Sequence, residues 1–366
     1  MRPKYASNFP IGRVDVFYND NTGDFEFCEF NAAGSAAMNE VFHVCKTAQQ
    51  TNTFKHLENE LKKNGKQIKE FELFDSWCNH FEAIYLEWYK NTACTKKNRG
   101  NRTFAIVDFL DNCAIYDFEH FAEAFNRSEN SAIVADIHDL VFDGNSLKTK
   151  NGEQIDAIYK RVTLDDLYAR QNEEGVSALI NAVKAQAVCS IDWFSTQIIH
   201  SKQICYVLNH ELTKKILSKS EWDFMQLHQP KTYKLTPEVI KEHDFVSNKN
   251  SWLCKPVSSR GAKNIYPGND YTEEQWVQIL DKCADDENYI IQKYCTQYNS
   301  ANICIDPYNE EDTLNPKYDE TILPYSNMEG LYCYNGHFAG VYLRQGRGSV
   351  NSRKFANIDC ATFYEE

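Results

Sequence analysis

Near the N-terminus, GRVDVFYN and DFEFCEFN flank a short Asn/Asp/Gly-rich stretch. Both segments alternate between apolar and polar residues, the period of a half-buried strand, so together they predict an antiparallel hairpin. Alternation places every second side chain on one face. Arg13 and Asp15 therefore share a face of the first strand, and Glu29 and Asn31 share a face of the second. A three-residue turn at Asn21, Thr22 and Gly23 puts the glycine where such loops need a left-handed backbone. That turn sets Asp15 opposite Glu29 and Arg13 opposite Asn31. Two carboxylates, an amide and a guanidinium on one face are costly unless a cation, or a polyanion with metal, lies between them. Carboxylate and amide oxygens suit Mg2+, with water and nucleotide phosphates completing the shell. Asp15, Glu29 and Asn31 are thus candidate metal ligands; the plainer reading is a solvated face with ordinary charge pairing.

Helical patterning follows the hairpin, with Phe74, Trp77, Phe81, Ile84, Tyr85 and Trp88 forming an aromatic stripe that reads as core. The polar stretch TKKNRGNR (95–102) reads as a loop. From residue 103 strands alternate with helices: TFAIVDFL, the helix FEHFAEAFN, SAIVADI and QIDAIYKRV. This order predicts a parallel sheet of Rossmann-like topology, without the GxGxxG of a dinucleotide site. A helical stretch is expected over 164–200 and a strand at QICYVL. Residues 229–295 read as a small α+β unit, and LYCYN and FAGVYLR as two strands hinged at Gly336.

Acidic residues outnumber basic ones by 52 to 39, a formal charge of -13. That balance repels phosphate backbones and anionic lipid, so no nucleic-acid or membrane partner is expected. The longest apolar run, 204–208 (ICYVL), is far below the about 20 residues of a membrane helix. MRPKYASNFPIGRVDVF carries no apolar signal stretch. The 13 cysteines form no CxxC pair, unlike a zinc ribbon or a disulfide framework. A reduced, cytoplasmic, soluble protein is the expectation; oligomeric state is not legible in the sequence.

Two further motifs bear on chemistry. In SWLCKPVSSRGAKNIYPG, a strand ending at Lys255 and Pro256, a Ser/Gly turn and a returning strand can lay an ammonium and backbone N–H groups along phosphates. It is not a Walker A loop. Lys214 or Lys215 upstream is placed to reach the same phosphates, and backbone groups of Gln292, Lys293 and Tyr294 in YIIQKYC to meet an adenine edge. In GVYLRQGRGSVN, Arg344 ends a strand and Asn351 lies in a Gly-rich loop suited to phosphate or metal. Singly, each of these also reads as a surface turn.

Together, in this order, the motifs resemble the ATP-grasp ligases, and specifically the synthetase part of the glutathionylspermidine synthase-like family, in circularly permuted order. Lys215, Lys255, Arg260-Gly261, Gln292-Lys293-Tyr294 and Arg344 with Asn351 follow the family order. Arg13-Val14-Asp15 and Glu29-Phe30-Asn31, which usually close it, stand at the N-terminus. The lid turn SSRGAK has one glycine where the family has several, and residues 299–323 do not map onto it.

The resemblance implies an α+β fold with an α/β portion. Residues 1–45 and 301–366 share the catalytic ATP-grasp sheet, 46–100 are helical, 101–200 form a Rossmann-like pre-ATP-grasp domain and 201–300 the lid. It implies a carboxylate–amine ligase using ATP and Mg2+ on small-molecule carboxylate and amine substrates through an acyl phosphate. Its roles are metal for Asp15, Glu29 and Asn31, catalysis for Arg13 and Arg344, and ATP contact for Lys215, Lys255, Arg260, Gly261, Gln292, Lys293, Tyr294 and Asn351. A glutathione or polyamine substrate is one option within the family. A small-molecule kinase on the same scaffold and a non-catalytic ATP-binding protein are the alternatives.

Overall fold

The computed structural model describes residues 4–32, 34–92, 102–127, 130–258, 263–286, 288–295, 298–305, 318–351 and 358–366. The polar stretch 95–102, apart from Arg102, lies outside these, as do 306–317 of the acidic segment.

The hairpin strands Ile11–Tyr18 and Phe25–Ala32 form as their alternation predicts. The connection is wider than three residues: Tyr18 pairs with Phe25, and Asn19 N donates to Asp24 O at 2.9 Å. Left uncorrected, that register would set Asp15 opposite Cys28. A β-bulge between Asp15 and Val16 absorbs Cys28 as an extra residue, so Asp15 pairs with Glu29 and Arg13 with Asn31 after all.

Ile11–Tyr18 is an interior strand, paired on its other side with Tyr318–Tyr334. His337–Gly346 and Ile358–Cys360 follow outward, and Asn299–Ile305 also pairs with the long strand. All these pairings are antiparallel, so N-terminal and C-terminal segments build one sheet. Its 318–346 hairpin turns at Asn335 and Gly336, with φ of 49° and 82°. A tight hairpin of that twist needs positive φ at both positions, which Asn and Gly tolerate.

A second sheet is wholly parallel, in the order Cys189–Ile191, Ala157–Lys160, Thr103–Asp108, Ser131–Asp136. Phe104 and Ile106 pack with Phe118, Phe121 and Phe125 on one face. Ala105 and Val107 pack with Val176 and Leu179 on the other. Helices thus cover both faces, as parallel sheets require. The aromatic stripe lies in the helix Leu73–Asn91, all six residues buried. Trp77 stands 5.2 Å from Tyr159 of the parallel sheet and 5.5 Å from Tyr334 of the antiparallel one, so this helix wedges the two sheets together.

A third, antiparallel sheet runs Thr232–Lys234, Tyr289–Lys293, Trp252–Pro256, Tyr266–Pro267. The helix Glu273–Asp285 packs on it through Trp276, Leu280 and Cys283, and a Thr272/Gln275 capping box starts it.

Two expectations are corrected. QICYVL is the helix Gln203–Leu208, with Cys205 its only buried residue. A short apolar run carries no reliable period, and one buried position per turn suits a surface helix. The helical stretch 164–200 is broken by the strand Cys189–Ile191, whose three buried residues add the outer strand of the parallel sheet.

On the sheet face away from Gly330, Glu329 is held to about 7 from the ordinary 4.5, by burial first and by Asp20 second. The folded state therefore holds a proton between these values that the unfolded chain releases. Its stability falls as pH rises from about 4.5 to 7. Glu329→Gln removes that dependence. The variant is expected to exceed the parent by up to about 3 kcal/mol at pH 8 and to match it near pH 4.5. Urea denaturation at the two pH values checks this; an equal difference at both overturns it.

Candidate active site

Arg13, Asp15, Glu29 and Asn31 meet on one face of the antiparallel sheet because their strands pair in that register. Asp15 is fully buried. Arg13 donates to it twice, Nε to Oδ1 at 2.6 Å and Nη2 to Oδ2 at 3.1 Å. Arg344, two strands away, donates Nη2 to Oδ2 at 2.7 Å. Both guanidinium groups lie 5.2 Å from the ring of Tyr342, a shared aromatic floor. The third arm of Arg13, Nη1, donates to Ala36 O at 2.9 Å, which also accepts from Tyr332 OH at 2.8 Å.

Glu29 is more open, its side chain 27% exposed. Asn31 Nδ2 donates to Glu29 Oε1 at 3.4 Å, and Lys202 Nζ stands 3.6 Å from Oε2. Burial works to raise the Glu29 pKa, but Lys202, Lys255, Arg344 and Arg13 together lower it to about 2. Lys255, buried on the strand Trp252–Pro256, donates Nζ to Cys28 O at 3.2 Å. The bulge that fixes the hairpin register thus also presents a carbonyl to the lysine of the third sheet. The Cys28 thiol is pushed up to about 12, chiefly by burial, and so is no nucleophile. Four cations surround two carboxylates, a net excess of positive charge in a largely buried setting.

The other expected residues divide. Lys215 is exposed beyond the short helix Glu211–Lys214, and Lys214 faces Glu211 at 3.9 Å. Besides Lys255, the lysine that reaches the cluster is Lys202, which a strand reading of QICYVL does not single out. Read as a helix, that run puts Lys202 at its N-cap, where a buried turn can aim the side chain at Glu29. Gln292 is central in the third sheet, its side chain donating to Thr232 Oγ1 at 2.8 Å. Lys293 N donates to Lys231 O and Tyr294 N to Ser251 O, both at 2.8 Å. Sheet and turn pairing thus use those two N–H donors. Tyr294 OH instead donates to Ser349 O at 2.5 Å, joining the third sheet to the Gly-rich loop. Asn351 is buried, its Oδ1 accepting from Ser326 Oγ at 3.0 Å, which anchors that loop to the long strand. Arg260 and Gly261 lie outside the described residues.

Asp15, expected as a metal ligand, is in this geometry an anchor for two arginines. Among the described residues no group of three or more His, Cys, Asp or Glu side chains is placed to hold a metal. Glu29 and Asn31 fit one: the carboxylate stays anionic down to about pH 2, is partly open, and has an amide beside it. The remaining ligands would be phosphate and water oxygens. The buried Arg344 Nε has no acceptor among the described residues, consistent with a donor reserved for a ligand oxygen.

The loop after the hairpin joins the cluster to the parallel sheet. Arg161 Nη1 donates to Ser35 O at 2.5 Å, and a Cβ on Gly34, whose φ is +98°, would come within 3.0 Å of Arg161 O. The carboxyl ends of the parallel strands bring Asp108, Lys160 and Asp192 to the same edge. Burial raises Asp108 to about 6 and also raises Asp192.

Gly330 is the close approach on which the cluster depends. A Cβ there would fall 2.4 Å from Arg13 Cδ and 2.6 Å from Nε. Gly330→Ala is expected to displace Arg13 from Asp15 and weaken any chemistry that relies on this cluster about tenfold or more. Urea stability should change by under about 2 kcal/mol. Unchanged turnover in that variant would show the Arg13–Asp15 pair to be dispensable.

No family model matches the chain. No curated protein matches it in sequence. Solved structures do resemble its fold. A glutathione synthetase-like effector from Globodera pallida, in its apo form, superposes with a TM-score of 0.60 at 10% identity, over 97% of this chain and 76% of that one. D-alanyl-alanine synthetase A from Vibrio cholerae reaches a TM-score of 0.36 at 8% identity over 72% of this chain and 88% of that one, too low to establish a common topology. The fold is thus a mixed α and β architecture similar to that of the effector. No helix among the described residues is long and apolar enough to cross a membrane.

Proposed function

We propose that the chain is a circularly permuted ATP-grasp ligase that joins a small-molecule carboxylate to an amine, releasing ADP and phosphate. One observation carries this reading: Arg13, Arg344, Lys202 and Lys255 converge on Asp15 and Glu29. A site with surplus buried cations and two carboxylates is matched by a polyphosphate accompanied by Mg2+. Likeness in fold to a glutathione synthetase-like protein supports the same class, and favours an amino-acid or peptide-like carboxylate substrate.

In this reading Lys255 and Lys202 hold the ATP phosphates, Lys202 taking the place expected for Lys215. Glu29 and Asn31 hold Mg2+, which supplies charge neutralisation at the phosphates. Asp15 keeps Arg13 and Arg344 aligned, and Arg13 stabilises the acyl phosphate and the tetrahedral intermediate with Arg344 assisting. A carboxylate attacking a γ-phosphate meets charge repulsion, and these fixed cations offset it without reorganising. The third sheet serves as the lid, and its contacts to Cys28 and Ser349 exclude the water that would hydrolyse an acyl phosphate. The second substrate lies at the carboxyl edge of the parallel sheet, where the direction of the connections switches on either side of Thr103–Asp108.

The test uses ATP, Mg2+, hydroxylamine and a small-molecule extract of the host, with mass spectrometry for new hydroxamates. An ATP-dependent hydroxamate traps the acyl phosphate and names the carboxylate. A stable phosphorylated metabolite without hydroxamate would instead make the protein a kinase.

A further inference from the structure

Away from the arginine cluster, and sharing none of its residues, a cavity of about 120 Å³ opens between the helix Met38–Gln50, the segment 70–75 and the helix Ile115–Asn126. Nothing in the proposed ligation uses it. Its floor is apolar, with Met38, Val41, Cys45 and Leu73 buried. Its wall is aromatic: Phe42, Phe74 and His120 stand edge to face with ring centres 5.2 to 6.4 Å apart. Phe42 remains 38% exposed, so the cavity reaches the surface.

The rim is acidic. Among the described residues, Glu70, Glu72, Asp75 and Glu123 line it against one lining cation, Arg127, which pairs with Asp75. Lys46 reaches in to pair with Glu70, and its Nζ lies 5.4 Å from the centre of the Phe42 ring. The protein thus already seats one ammonium between an aromatic face and a carboxylate at this rim. After both pairs are counted, two carboxylates of the rim remain in excess.

An apolar cavity of about 150 Å³ holds a benzene ring; this one is smaller, about 120 Å³, but open at its mouth, so a single ring or a short alkyl chain fits with its outer end at the surface. Aromatic faces, such as the Phe42 face that already meets Lys46, and uncompensated carboxylates recognise ammonium. We propose that this cavity is a second ligand site, for a small monoamine whose apolar body is about one six-membered ring in size. An amine longer by a second charge would leave that charge in the apolar floor, where burial without a partner is costly.

Binding is measured by titration calorimetry with 2-phenylethylamine, and with phenylacetate and 2-phenylethanol as the anionic and neutral isosteres. The amine is expected to saturate with a Kd on the order of a millimolar, the scale for nine heavy atoms at modest efficiency. Both isosteres should bind at least about tenfold more weakly. Glu72→Gln combined with Glu123→Gln changes only exposed side chains; it should weaken the amine about tenfold and leave 2-phenylethanol unchanged. Phe42→Ala should weaken both.

The amine could also visit a ligase acceptor site. Glu29→Gln protein with saturating ATP and Mg2+ is therefore titrated too, and should bind the amine as the parent does. This readout needs no turnover, so it stands or falls apart from the ligase reading. No saturable amine binding at about ten times that concentration, equal binding of phenylacetate, or binding insensitive to the rim and Phe42 changes would each overturn the proposal.

Discussion

Glu29→Gln is expected to reduce ATP-dependent hydroxamate formation by about a thousandfold or more while the protein stays folded. Amide for carboxylate keeps the shape and the contact with Asn31, but removes the anion that four cations converge on. The same substitution has a pH-dependent stability signature. The Glu29 pKa falls from the ordinary 4.5 to about 2 on folding, so its stabilisation is fully present above about 4.5 and is lost as pH falls toward 2. At neutral pH the variant should lose up to about 3 kcal/mol, a ceiling because the side chain is partly solvated. Added pyrophosphate should restore much of that loss by binding the cations left uncompensated. A folded Glu29→Gln protein with parental turnover would remove Glu29 from the chemistry, and with it the proposed metal pair Glu29 and Asn31.

The second large effect separates two lysines. Lys202→Met keeps the packed stem and deletes the ammonium that faces Glu29 at 3.6 Å. Losing a charge-assisted contact to phosphate costs about 1.5–3 kcal/mol, so ATP affinity should fall about 10- to 100-fold. Lys215→Ala removes an exposed side chain and should leave affinity within about twofold. Both are read by equilibrium binding of ATP with Mg2+. The opposite ranking would restore Lys215 as the phosphate lysine and make Lys202 a structural partner of Glu29.

The comparison of these lysines shows where the sequence stops being legible. Local periodicity carried the hairpin, the aromatic helix Leu73–Asn91 and the alternating strands from Thr103, because a buried face imposes its period on the chain that covers it. It failed at QICYVL, where one buried residue in six leaves strand and helix equally good descriptions. The turn spans 19–24 rather than three residues, yet Asp15 still pairs with Glu29 because the bulge at Cys28 compensates. Nothing in FEFCEFN marks a bulge; in the fold its Cys28 carbonyl accepts from Lys255 of the neighbouring sheet.

What the sequence determined by itself was which residues share a face: Arg13 with Asp15, Glu29 with Asn31, and the apolar stripes of the helices. Side-chain alternation is a property of the backbone and needs no partner. What only the tertiary structure decided was which charges meet. Arg344 reaches Asp15 across two strand pairings, and Lys202 and Lys255 come from outside the sheet altogether. The interaction of buried charges depends on separation and on exclusion of water, and both are set by how the three sheets pack. The same packing made Asp15 an arginine anchor and Lys293 and Tyr294 partners of their neighbours, roles that residue type and spacing do not contain.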